Sequence, residues 1–116
     1  ASAPAAQRLP EPLRLRALHV LAENDRVRAA VQALASGDLP ALGALLSASH
    51  ASLRDCFEVT TPAVEATVER LLRAGASGAR IVGGGFGGSV LGLFVPDARP
   101  PAGAREVRPG AGARLL

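Results

Sequence analysis

Five of the six residues at positions 83–88 are glycine, with Phe86 the one exception. Glycine loses more conformational freedom on folding than any other residue, so such a run needs a backbone reason. Either the main chain comes very close to something, often a phosphate, or it must reach positive φ angles. Ile81 and Val82 precede the run, and Val90, Leu91, Leu93, Phe94 and Val95 follow it. These flanks read as strands, which makes the run a glycine turn between strands rather than a floppy linker. Two readings stand side by side: a backbone wall beside a bound ligand, and a tight turn that only packs two strands together.

Two familiar phosphate loops fail against this run. Gly83, Gly85 and Gly88 formally satisfy G-x-G-x-x-G. A dinucleotide fingerprint requires that loop to open a helix, with an acidic residue about 20 positions on. Here the residues at 89–95 before Pro96 have strand length and strand composition, and the acidic position would be Glu106, beyond Pro100-Pro101. A Walker-type loop needs Lys followed by Ser or Thr after its last glycine. Gly88 is followed by Ser89, and the chain contains no Lys.

The 116 residues suit one domain. With three Phe and neither Trp nor Tyr, the core must be built from Leu, Val and Ala. All 13 basic residues are Arg and the net charge is only +3. The arginines are scattered and lack Tyr or Trp stacking partners, which argues against nucleic acid as a partner. The single Cys56 excludes an internal disulfide and fits a reducing, cytoplasmic compartment. Two His and one Cys are too few for a closed structural zinc site. No apolar run is long enough to span a membrane. Residues 1–12 read as a disordered or linker-like segment and 13–116 as the domain. The Ala/Pro/Ser-rich start and the lack of any Met suggest an excised piece, or a chain whose natural beginning lies elsewhere.

Three helices are expected first. Over residues 13–35, Leu13, Ala17, Val20, Leu21, Val27, Val31 and Leu34 fall near one stripe, and Gly37 ends the pattern. Asp38 can cap a second helix with Pro40 in its first turn and Leu42, Leu45, Leu46, Ser49 and Leu53 inward. Thr60 or Thr61 caps a third, with Pro62 at its first position, Val64, Val68, Leu71 and Leu72 inward, and Gly75 as its stop. Strands then follow at 79–82 and 89–95 around the glycine run, and at 104–108 and 113–116 around Pro109-Gly110-Ala111-Gly112. Helices followed by strands indicate an α+β fold, three helices packed on a small antiparallel sheet of about four strands.

Taken in order, these landmarks resemble the C-terminal domain of galactokinases, members of the GHMP family of sugar and metabolite kinases. Arg16-Ala17-Leu18-His19-Val20 with Glu23-Asn24 resembles the family's RARHVxxEN, and Gly37-Asp38-Leu39 its GD(L/Y) turn. Ser49-His50-Ala51-Ser52-Leu53-Arg54-Asp55 resembles SHxSLRD, and Phe57-Glu58-Val59-Thr60-Thr61-Pro62 resembles YEVSxPE. Gly78-Ala79-Arg80-Ile81-Val82 running into the glycines resembles GARMTGGGFGG, the third GHMP signature, and Gly112-Ala113-Arg114-Leu115-Leu116 the GARVL end. The resemblance implies transfer of the ATP γ-phosphoryl group to the anomeric hydroxyl of galactose, with magnesium. It also implies that the serine-rich phosphate loop, the catalytic aspartate and most sugar ligands belong to an N-terminal GHMP kinase domain, the expected partner. No catalytic residue and no metal ligand is then expected in this chain, which alone should be inactive.

What this chain would supply is the nucleotide- and substrate-binding loop Gly83, Gly84, Gly85, Phe86, Gly87 and Gly88, with Arg80, Asp55 and His50 as candidate supports. Each support has a plainer reading: a strand-edge salt bridge for Arg80, a helix-end charge pair with Arg54 for Asp55, a buried hydrogen-bonded imidazole for His50. Cys56 is read as a reactive thiol or a half-buried structural residue. Cys56 and Phe57 replace an aspartate and a tyrosine of the family, and Ala63 and Ala66 replace its acidic positions. The family's last helix is reduced to residues 96–107, rich in Pro and Gly. These departures keep two alternatives open: a non-catalytic sugar-sensing or interaction module, and a GHMP kinase with another acceptor.

Overall fold

The computed structural model describes residues 3–83 and 88–115. The helix signals act where they stand in the chain. Helix α2 (Leu13–Ser36) ends on Gly37, whose φ of 69° is left-handed and whose N–H bonds back to α2 carbonyls. Asp38 then starts α3 (Leu39–Ser52), its carboxylate accepting from the Ala41 N–H at 3.1 Å. A π-helical turn, Leu53–Phe57, continues α3 and closes on Glu58 with φ 54°. Thr61 caps α4 (Pro62–Arg73) through the Val64 N–H, with Pro62 in the first turn. The segment read as linker-like carries a five-residue helix, α1 (Ala3–Gln7), in which Ala6 is buried.

Strands β1 (Gly78–Ile81) and β2 (Val90–Leu93) pair antiparallel, Gly78 opposite Leu93 and Ile81 opposite Val90. One face of this hairpin meets α4: Val64, Val68 and Leu71 bury with Ala79 and Ile81, flanked by Leu53, Ala76, Val90 and Phe94. Helix α3 crosses β1 almost backbone to backbone. A Cβ on Gly78 would lie 1.8 Å from the Gly43 carbonyl oxygen, and one on Gly43 would lie 2.4 Å from Ser77 main-chain atoms. Only glycine permits that approach.

Three expectations are corrected. The sheet has two strands among the described residues, not about four: 104–108 and the described part of 113–116 are irregular and exposed. The only large apolar side chain in 104–108 is Val107, 59% exposed, so this stretch offers no face to bury. The stripe expected to bury α2 is largely on its solvent face, with Leu13, Val20, Val27, Val31 and Leu34 exposed. The face that packs on α3 instead carries His19, Glu23, Arg26 and Ala33. On α4, Leu72 is exposed while Leu71 takes the inward place.

Candidate functional site

The neck of the glycine loop is held from two sides. Strand geometry sends successive N–H groups in opposite directions. The Val82 N–H donates across the hairpin to the Ser89 carbonyl at 2.9 Å. The Ile81 N–H points the other way and donates to Nδ1 of His50 at 3.1 Å. One residue pair back, the Ala79 N–H donates to the Ser47 hydroxyl at 3.3 Å. Ser47 and His50 lie one turn apart on α3, so the helix caps the outer edge of β1 with side chains. Past the neck, Gly83 is exposed with φ 77°, and nothing would lie within 4 Å of a Cβ built on it. Gly88 is exposed as well. Gly84, Gly85, Phe86 and Gly87 lie outside the described residues.

The candidate supports divide. His50 is 3% exposed and reaches the loop neck directly, while its Nε2 bonds Glu65 at 2.8 Å. Glu65 in turn faces Arg54 at 3.6 Å. Asp55 instead sits in a forked pair with Arg54 at 2.8 and 3.2 Å, outside the core. Arg54 holds the Asp55 carboxyl below the usual carboxylate range, and Asp55 raises Arg54 in return. Arg80 turns its Nε to the Ile81 carbonyl at 2.9 Å and its Nη1 toward Glu23 at 4.0 Å. It therefore links the loop strand to α2. Cys56 is half-buried, and its carbonyl accepts from Arg16. Phe57 packs edge-on against His19 at 5.0 Å and under the Arg16 guanidinium at 5.4 Å.

A polar cluster between α2 and α3 was not visible as a unit in the sequence. Ser49 donates to Glu23 at 2.5 Å, Arg26 to Glu23 at 2.7 Å, and His19 Nδ1 meets the Ser52 hydroxyl at 2.7 Å. Burial pushes the Glu23 carboxyl up, but the hydrogen bonds from Ser49 and Arg26 and the nearby positive charge outweigh it and hold it below its ordinary value. Burial, with Arg26 and Arg80, keeps the His19 imidazole below its ordinary value against the opposing pull of Glu23. The helix-period spacing of His19 to Glu23 and of Ser49 to Ser52 is the one signal that could have paired these faces. The open trough of about 600 Å³ between the same helices is lined largely by Ala side chains and by none of the loop-neck residues described above. Among the described residues no three His, Cys, Asp or Glu side chains converge to hold a metal ion. Nor is any helix there long and apolar enough to cross a membrane.

Residues 30–112 match the family model described as GHMP kinases C terminal. The galactokinase of Mycobacterium tuberculosis strain H37Rv is 51% identical over 82 residues, 71% of this chain and 23% of that protein. The galactokinase of Streptomyces coelicolor is 42% identical over 122 residues, covering 91% of this chain and 32% of its own length. The crystal structure of Lactococcus lactis galactokinase complexed with galactose superposes with a TM-score of 0.73 at 38% identity, covering 81% of this chain and 26% of that one. The chain thus spans between about a quarter and a third of these relatives' length.

Proposed function

The chain belongs to the family of GHMP kinase C-terminal domains, and from that premise we propose that residues 13–116 form one wall of a galactokinase-like site. The other wall, with the phosphate loop, the base and most sugar ligands, is an N-terminal GHMP kinase domain. The reaction is transfer of the ATP γ-phosphoryl group to galactose, in the cytoplasm. Positioning and electrostatic stabilisation of the phosphates supply most of the catalysis in such transfers. This chain contributes positioning: glycine backbone at the loop neck, carried on an anchored hairpin. The observation that carries the reading is Gly83, left-handed with open space where a side chain would stand, on a neck gripped by both Ser89 and His50. ATP is the cofactor. Magnesium, like most of the ATP contacts, would be held mainly by the other wall.

Phe57 is taken up by packing against His19 and Arg16. Its departure from the family pattern therefore gives little support to a degenerate, non-catalytic module. The test is a chimera in which residues 13–116 replace the matching C-terminal part of the S. coelicolor galactokinase. Galactose-dependent ATP consumption by the chimera, lost on Gly84→Val or Gly85→Val, is the expected outcome. A folded chimera that consumes no ATP with galactose would transfer the argument to the interaction module, and turnover with a different sugar would transfer it to another acceptor.

A further inference from the structure

We propose that His50 is the positioning residue of the glycine loop, and that it acts through a single fixed tautomer. Two contacts on opposite sides of one ring lead there. Its Nδ1 receives the Ile81 N–H at 3.1 Å, and a backbone amide can only donate. Its Nε2 lies 2.8 and 3.1 Å from the two oxygens of Glu65, and a carboxylate can only accept. The ring is therefore neutral, with its proton on Nε2 and a bare lone pair on Nδ1. At 3% exposure, the ring is nearly closed to solvent.

The consequence for the loop is geometric. Ile81 is the last residue of β1, two positions before the left-handed Gly83. With Val82 bonded to Ser89 on the other side, His50 sets how far the chain is drawn toward α3 as it enters the glycines. Glu65 on α4, faced by Arg54, fixes the ring from behind. The loop's neck is thus tied to α3 and α4 through one imidazole. The functional meaning of this tie rests on the loop being a ligand wall, but the tie itself is open to test without any ligand.

Two substitutions split the ring's two bonds. His50→Asn places an amide oxygen near the position of Nδ1 and gives up Glu65. His50→Gln places an amide nitrogen near the position of Nε2 and gives up Ile81. In the 116-residue chain, long-range ¹⁵N NMR of the wild type should show His50 protonated on Nε2 alone. His50→Gln should speed exchange of the Ile81 amide by roughly tenfold and shift the Gly83 and Gly88 resonances, while His50→Asn does so much less. A proton on Nδ1, or equal effects of the two variants, overturns the proposal. If neither variant folds, the wild-type tautomer and the exchange rate of its Ile81 amide still decide. In the galactokinase chimera, His50→Gln should raise the KM for ATP or galactose more than His50→Asn. An inactive chimera speaks against the functional reading alone. An active chimera in which both variants behave alike speaks against this one.

Discussion

At the scale of single residues, the tightest constraint is the crossing of Gly43 and Gly78. A glycine inside a helix costs about 1 kcal/mol relative to alanine, and Gly43 lies in the middle of α3. The close approach it permits offsets that cost. Gly78→Ala should therefore destabilise the chain by roughly 3 kcal/mol or more, because the neighbour it meets is backbone and cannot rotate away. Gly110→Ala, with nothing within 4 Å, should change the stability read from urea unfolding by less than about 0.5 kcal/mol; similar urea midpoints for both variants would show that the crossing is loose. The polar cluster makes a second prediction at this scale. His19 is held below its ordinary 6.5, so in that range the unfolded chain binds a proton that the folded chain does not. Its penalty is absent above 6.5 and grows as pH falls. Glu23 is held below its ordinary 4.5, so the stability it contributes is present above 4.5 and is lost as pH drops through its folded value. Both act in one direction: the melting temperature should fall from pH 7.5 to 5 and further below 4.5. His19→Asn should flatten the upper part of that curve, and a midpoint independent of pH between 7.5 and 5 would remove His19 from the account.

At the scale of elements, what was legible was what is chemically local. Gly37, Asp38, Thr61 and Pro62 mark helix ends because a cap bonds its own neighbours, and each stands where its chemistry placed it. The hairpin around the glycines was legible for the same reason. Burial was not local. The apolar stripe of α2 is real in the sequence, but which face a helix buries depends on what packs against it. Here α3 presents Ser49 and Ser52 and receives His19 and Glu23. The tail strands failed for a related reason: β1's outer edge is already capped by Ser47 and His50, and 104–108 has no apolar face to bring to another edge. His50 itself looked like an ordinary buried imidazole until the direction of the Ile81 amide was known. The exposed α2 face is testable directly. Val27→Gln and Val31→Gln should each change stability by less than about 0.5 kcal/mol, while Val68→Ala in the core should cost about 2 kcal/mol. Equal losses at Val27 and Val68 in urea titrations would mean that the α2 stripe is buried in solution.

At the scale of the whole molecule, the proposed division of labour gives this chain the support and the N-terminal domain the chemistry. Among the described residues the sheet has two strands and the longest helix leaves a row of valines and leucines in solvent, and the chain spans between about a quarter and a third of the galactokinases it resembles. Phosphoryl transfer requires that nucleophile, phosphate and a charge-stabilising shell be held together, and orientation alone is worth several powers of ten in rate. Here the described residues present glycine backbone at the loop neck, a guanidinium at Arg80 turned toward Glu23, and a carboxylate at Asp55 already forked to Arg54. None of these is free to act as base toward a sugar hydroxyl. The 116-residue chain by itself should therefore show no ATP consumption above background with galactose, in coupled assays run with and without the sugar. The same chain joined to a galactokinase N-terminal part should show it. Galactose-dependent turnover by the chain alone would mean that a base and a phosphate site exist within these residues, and the division of labour argued here would have to be abandoned.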